Sequence, residues 1–171
     1  MNYADHIRTI EDFPEPGILF YDIAPLLGNG AIFANAIHDM AEPLRGRVNQ
    51  VVGLDARGFV FGAAMALELG VGLTMVRKAG KLPGETIQLD YALEYGTNTI
   101  ELQTDTLGSK DKVVLVDDVI ATGGTAVASV ELVRRTGATI VEFCSAIDLP
   151  SLGGSELIKA TDVPVRSLVS F

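Results

Sequence analysis

Two successive aspartates, Asp117 and Asp118, close an apolar run and are followed by Thr122, Gly123, Gly124 and Thr125, within a string that reads VVLVDDVIATGGT from Val113 to Thr125. Glycine lets a ligand approach the backbone closely, and amide N–H groups opening a helix favour an anion, so this stretch suits a phosphate. Carboxylates just before a phosphate cradle look out of place unless the ligand also carries a sugar. They accept hydrogen bonds from ribose hydroxyls and can hold a hydrated Mg²⁺. A turn and a helix cap would each explain half of the string, but only a phosphorylated sugar uses all of it. Other nucleotide-binding patterns fail: no G-x-G-x-x-G follows a strand, and no G-x-x-x-x-G-K-[ST] occurs.

A second group of residues is cationic. Arg57 lies in Asp55-Ala56-Arg57-Gly58, just after the apolar run Val51–Leu54, and Arg77, Lys78 and Lys81 follow later. A guanidinium can place two donors on a pyrophosphate, which an ammonium does less well. These cations matter because the chain's formal net charge is −9. Such a field repels nucleic acid and anionic membranes, and a polyphosphate ligand can bind only where positive charge is supplied locally. Solvated surface charge is the plainer explanation for any one of them.

The elements that must position these residues alternate. Ala31–Leu44, Gly58–Leu69, Gly123–Thr136 (stopped by Gly137) and Gly154–Ala160 have helical character, whereas Val51–Leu54, Val71–Val76, Thr97–Leu102, Lys112–Val116, Thr139–Ile147 and Val163–Val169 read as strands. Strands alternating with helices predict an α/β fold, a mostly parallel twisted sheet flanked by helices, with ligands beyond the carboxyl ends of the strands. Lys78–Tyr91, with Gly80, Pro83, Gly84 and mixed charges, reads as a long mobile loop. With 171 residues the expectation is one domain, able to bury roughly 70% of its unfolded surface without staples. The lone Cys144 excludes an intramolecular disulfide and reads as a small buried hydrophobe. The N-terminus lacks the pattern of a signal peptide, and the longest apolar run, Gly58–Leu67, is too short to span a bilayer, so a soluble cytoplasmic protein is expected.

The string Val113–Thr125 resembles the PRPP-binding motif of the type I phosphoribosyltransferases (PRPP is 5-phosphoribosyl-1-pyrophosphate). Four further segments, IEDFPEPGILFYDIAPLL at 10–27, GLDARGFVFG at 53–62, RKAGKLPG at 77–84 and YALEYG at 91–96, are similar to the adenine-specific members of that family, over nearly the whole chain. The resemblance implies a small N-terminal base-binding hood over about residues 1–30 and a flexible catalytic loop over about 78–91. It implies that Asp117 and Asp118 contact the ribose and that Ala121, Thr122, Gly123, Gly124 and Thr125 hold the 5-phosphate. Asp55, Ala56 and Arg57 would form the pyrophosphate loop, with Arg77, Lys78, Lys81 and Tyr95 acting on the same group. Leu19, Phe20, Tyr21 and Leu149 would surround adenine, and Glu94 would take its N9 proton or stabilise charge there. The implied catalytic set is Glu94, Arg57 and Lys81. Mg²⁺ would be held mainly by PRPP, AMP and pyrophosphate would be the products, and a homodimer the assembly. Members commonly carry arginine where this chain has Tyr21. A phosphoribosyltransferase for another purine base, or a non-catalytic PRPP-sensing regulator, would share parts of this pattern.

Overall fold

A computed structural model describes residues 1–92 and 97–171. The chain opens with two short strands, β1 (Arg8–Ile10) and β2 (Phe20–Asp22), then α1 (Ala24–Gly28) and α2 (Gly30–Ala41). Next come β3 (Gln50–Leu54), α3 (Gly58–Leu69), β4 (Gly72–Lys78), β5 (Thr86–Ala92) and β6 (Thr97–Gln103). The remainder is β7 (Lys112–Ile120), α4 (Gly124–Arg134), β8 (Thr139–Asp148), α5 (Gly154–Lys159) and β9 (Val165–Ser170).

Among the described residues, seven strands form one sheet in the order β5-β6-β4-β3-β7-β8-β9. The β4-β3, β3-β7, β7-β8 and β8-β9 pairs are parallel, and the two pairs at the other edge are antiparallel. The sheet is therefore mostly parallel, as the alternating elements require. Its central strands are apolar on both faces. Val51, Val114, Val116, Cys144 and Ala146 pack with Ile37 and Met40 of α2 and Phe61 and Met65 of α3. Val52, Leu54, Val113, Leu115 and Phe143 pack on the opposite side with Val130 and Val133 of α4 and Ile158 of α5. Each fully buried large side chain contributes about 1.5–3 kcal/mol, so these two layers supply most of the stabilisation. Burial pushes the Cys144 thiol up to about 12, which makes it inert as a nucleophile.

Three sequence expectations need correction. The helix expected over 31–44 is α2 followed by a 3₁₀ turn at Glu42–Leu44, because Pro43 has no N–H with which to continue the α-helical ladder. The stretch 78–91 is not one long loop. Lys78 ends β4, only 79–85 form the connection, and Thr86–Ala92 is a strand paired antiparallel with β6 from Thr86↔Gln103 to Ala92↔Thr97. Its period of two was present all along: Ile87, Leu89 and Tyr91 face the core and alternate with Gln88 and Asp90. Finally, the strand expected to end at Val116 runs on through both aspartates to Ile120.

The first residues form a separate two-stranded ribbon, Arg8↔Asp22 to Ile10↔Phe20, joined by the loop 11–19, in which Asp12 Oδ1 accepts from the Gly17 N–H at 2.7 Å. No helix among the described residues is long and apolar enough to cross a membrane.

Candidate active site

The site forms where β7 outlasts its neighbour. Pairing with β3 stops at Gly53↔Val116, whereas pairing with β8 continues to Ile120↔Asp148. The position vacated beside β7 is taken by the turn Asp55–Arg57, whose Asp55–Ala56 peptide is cis, and by the first turn of α3. Gly58 makes that approach possible. A Cβ there would lie 2.7 Å from the Val116 carbonyl oxygen and 2.9 Å from Asp117 Oδ1. Beyond β3 the sheet reverses its winding, which is where open α/β sheets leave a crevice.

Asp117 Oδ1 accepts from the Asp118 N–H at 2.8 Å. Asp118 Oδ2 faces Arg57 Nε at 2.8 Å; its side chain is 6% exposed, against 46% for the arginine. Burial pushes the Asp117 carboxyl well above the ordinary carboxylate range, and the adjacent Asp118 charge pushes it the same way. Burial also raises Asp118, while the Arg57 guanidinium pulls it back. A ligand presenting hydroxyl donors, or a cation, relieves both penalties.

Directly past β7, Asp117 and Ala121–Thr125 line a pocket of about 120 Å³. Gly123 sits at φ +84°, a conformation that favours glycine and turns the chain into α4. The loop is braced from behind. The Gly154 N–H donates to the Ala121 carbonyl at 3.0 Å, and the Leu149 N–H donates to that of Ile120 at 2.9 Å. From the opposite side, the Tyr91 hydroxyl reaches Thr125 Oγ1 at 2.9 Å.

Arg77 and Lys78 face the same crevice as Arg57. Arg77 Nε lies 3.3 Å from Asp55 Oδ2, and its Nη1 donates to the Lys81 carbonyl at 3.3 Å. Lys78 lines a small adjoining cavity with Asp55, Tyr91 and Thr125. Lys81 is exposed, but its backbone is anchored: Glu101 Oε1 accepts from the N–H groups of Lys81 and Leu82, both at 2.8 Å, while Oε2 accepts from Gln88 Nε2 at 3.1 Å. Burial raises the Glu101 carboxyl, but the backbone donors from Leu82, Gly80 and Lys81 outweigh it and hold the acid below its usual range. The connection 79–85 is thus tied to β6 by a buried carboxylate.

The residues expected around a base are only partly gathered. Leu19, Tyr21 and Leu149 line a cavity of about 390 Å³ beside the ribbon, together with Gly17, Ile18, Ser151 and Leu152. Phe20 faces elsewhere, under the Arg57 guanidinium at 5.5 Å and edge-on to Phe13 at 5.0 Å. The Tyr21 ring stacks on Phe171 with centroids 4.6 Å apart, so its side chain is committed to packing. Glu94 and Tyr95 lie outside the described residues.

Glu101, Tyr91 and Gly154 were not anticipated as site residues. Glu101 carried no signal, because in the strand TNTIELQ it falls on the polar side with Thr99 and Gln103, opposite Ile100 and Leu102. The other two depend on contacts between distant segments. Among the described residues no three His, Cys, Asp or Glu side chains converge as a metal cage. The Asp117–Asp118 pair suits a Mg²⁺ that keeps most of its shell as substrate oxygens and water.

The family model described as "Phosphoribosyl transferase domain" matches residues 23–168. An adenine phosphoribosyltransferase of Bradyrhizobium sp. (strain ORS 278) is 49% identical over 172 aligned positions, covering 100% of this chain and 96% of that protein. The crystal structure of adenine phosphoribosyltransferase from Rhodothermus marinus superposes with a TM-score of 0.91 at 44% identity, covering 98% of this chain and 95% of the other. The enzyme from Saccharomyces cerevisiae, complexed with an imino-altritol bisphosphate and adenine, gives 0.91 at 38% identity, covering 98% of both chains. The chain belongs to the adenine phosphoribosyltransferase family.

Proposed function

We propose that the chain joins adenine to PRPP, giving AMP and pyrophosphate, at the crevice between β3 and β7. The observation that carries this is the conjunction of a buried acid pair with a glycine-rich pocket at one strand end, faced by Arg57 and Lys78. That arrangement matches a ligand with ribose hydroxyls between a 5-phosphate and a pyrophosphate.

In the reaction the C1–oxygen bond to pyrophosphate breaks as N9 of adenine bonds to C1, and the sugar passes through an oxocarbenium-like state. Ala121–Thr125 fix the 5-phosphate, and Asp117 and Asp118 accept from the ribose hydroxyls. Together they align C1 with the base, which is where most of the rate enhancement from positioning arises. Arg57, released from Asp118, and Arg77, released from Asp55, turn to the pyrophosphate, helped by Lys78 and Lys81. Asp117 or Asp118 would hold, through water, a Mg²⁺ carried mainly by PRPP, and that ion would supply positive charge to the leaving group. Glu94 accepts the N9 proton, and Tyr95 covers the pyrophosphate. The base lies against Leu149, with its edge against the backbone of Leu19 and Tyr21, and Phe20 closes its other face only after its ring leaves its place beneath Arg57. Because the Tyr21 ring already packs on Phe171, replacing the family's arginine leaves that backbone contact available.

The exposed apolar residues Val60, Leu67, Leu73 and Met75 lie on α3 and β4. Together with the family resemblance, they support a homodimer, which light scattering would register as twice the chain mass.

A panel of bases with PRPP and Mg²⁺ tests the reading. AMP should form from adenine, with little product from guanine, hypoxanthine or xanthine. Turnover of guanine with silence on adenine would refute it. Within the same assay, Lys81→Ala should lower kcat about a hundredfold, the scale of losing one charge-stabilising donor, while the KM for adenine moves less than about threefold. Equal loss in both parameters would contradict a role on the leaving group.

A further inference from the structure

The hydrogen bond between Tyr91 and Thr125 links β5 to the first turn of α4, and nothing in the proposed chemistry uses the tyrosine. The two hydroxyl oxygens are 2.9 Å apart. Thr125 lines both the pocket ahead of α4 and the smaller cavity shared with Lys78 and Asp55; Tyr91 lines the second of these. The Tyr91 ring is half-buried against the core, so its hydroxyl has a fixed origin.

A hydroxyl has one proton to give and lone pairs with which to accept. A phosphate at neutral pH is mainly an acceptor, so a threonine that holds it must point its proton at the phosphate. The remaining partner of Thr125 must then be the donor. A phenol is the better donor of the two, being more acidic than an aliphatic alcohol. Each bond in such a chain polarises the next.

We propose that Tyr91 is a positioning residue for the 5-phosphate: its hydroxyl donates to Thr125 Oγ1 and so fixes the threonine proton toward the phosphate. This rests on the reading of Ala121–Thr125 as the 5-phosphate site. The bond also joins β5, and through it the antiparallel edge of the sheet, to the first turn of α4.

The test is calorimetric titration of AMP, and separately of adenosine, into the wild-type chain, Tyr91→Phe, Thr125→Val and the double variant, with thermal unfolding of each. Tyr91→Phe should weaken AMP about three- to tenfold, the scale of one neutral hydrogen bond, and leave adenosine unchanged. On the Thr125→Val background the same change should have no further effect. An AMP affinity untouched by Tyr91→Phe, an equal loss on both backgrounds, or an equal loss for adenosine would overturn the proposal, even if the melting temperature fell. If Thr125→Val itself leaves AMP binding intact, the phosphate-site reading fails and the role of Tyr91 falls with it. If Thr125→Val weakens AMP and Tyr91→Phe does not, only the tyrosine's role is lost.

Discussion

Replacing Gly154 by alanine should lower kcat/KM for PRPP about a hundredfold, while the KM for adenine changes much less, because a misplacement on the order of 1 Å is enough for such a loss. Gly154 belongs to α5, yet it lies directly behind the loop proposed to hold the 5-phosphate. A Cβ there would fall on the Ala121 carbonyl oxygen and 2.7 Å from the Gly123 nitrogen. The reverse contact is equally close, with a Cβ on Gly123 only 2.7 Å from the Gly154 Cα. These neighbours are backbone atoms and cannot swing away like the end of a side chain, so the loop itself must shift. Gly153 supplies the control. It has φ +78°, which an alanine adopts at a cost of about 1–2 kcal/mol, but nothing lies within 4 Å of its added Cβ. Gly153→Ala should therefore lower stability and leave the KM for PRPP in place. Steady-state kinetics with each substrate varied separates the two. An unchanged KM for PRPP in Gly154→Ala, or the same loss in Gly153→Ala, would contradict the bracing.

Arg57→Ala should be damaging in two separable ways. The guanidinium is the partner of Asp118, whose carboxylate is almost inaccessible and adjoins Asp117. Removing the cation leaves two neighbouring buried acids without their counter-charge. Breaking a fully buried pair costs about 3–5 kcal/mol, and because Arg57 is half-exposed a discounted loss of about 1–2 kcal/mol is expected. That corresponds to roughly 3–6 °C in melting temperature for a domain of this size. Adding Asp118→Asn should return part of the stability, since it removes the stranded charge. Activity should behave otherwise. With the proposed pyrophosphate contact gone, kcat/KM for PRPP should fall about 10²–10³-fold and stay low in the double variant. Thermal unfolding and kinetics on the four proteins of this cycle decide the matter. Strictly additive stability losses would show that Arg57 and Asp118 do not act as a pair.

What could be read from the sequence was local. The string Val113–Thr125 contains the acid pair, the turn and the helix opening in unbroken succession, so spacing alone brings them together. Central strands such as Lys112–Val116 were legible because continuous apolar runs reflect burial on both faces. Contacts between distant segments were not legible. Gly154 bracing Gly123, Glu101 tying down Lys81 and Leu82, and Tyr91 meeting Thr125 each depend on how separate elements pack. The strand Thr86–Ala92 was hidden for a different reason: the glycines, proline and charges before it mask the alternation of Ile87, Leu89 and Tyr91. The ribbon strands Arg8–Ile10 and Phe20–Asp22 have three residues each, too few to show any period.

The most direct measurement is a crystal structure with AMP bound. The phosphate should occupy the pocket beside Asp117, with its oxygens about 3 Å from backbone nitrogens between Ala121 and Thr125, and the ribose hydroxyls should reach Asp117 and Asp118. A phosphate seated against Arg77 and Lys81, or in the cavity beside Leu19 and Leu149, would contradict the central claim.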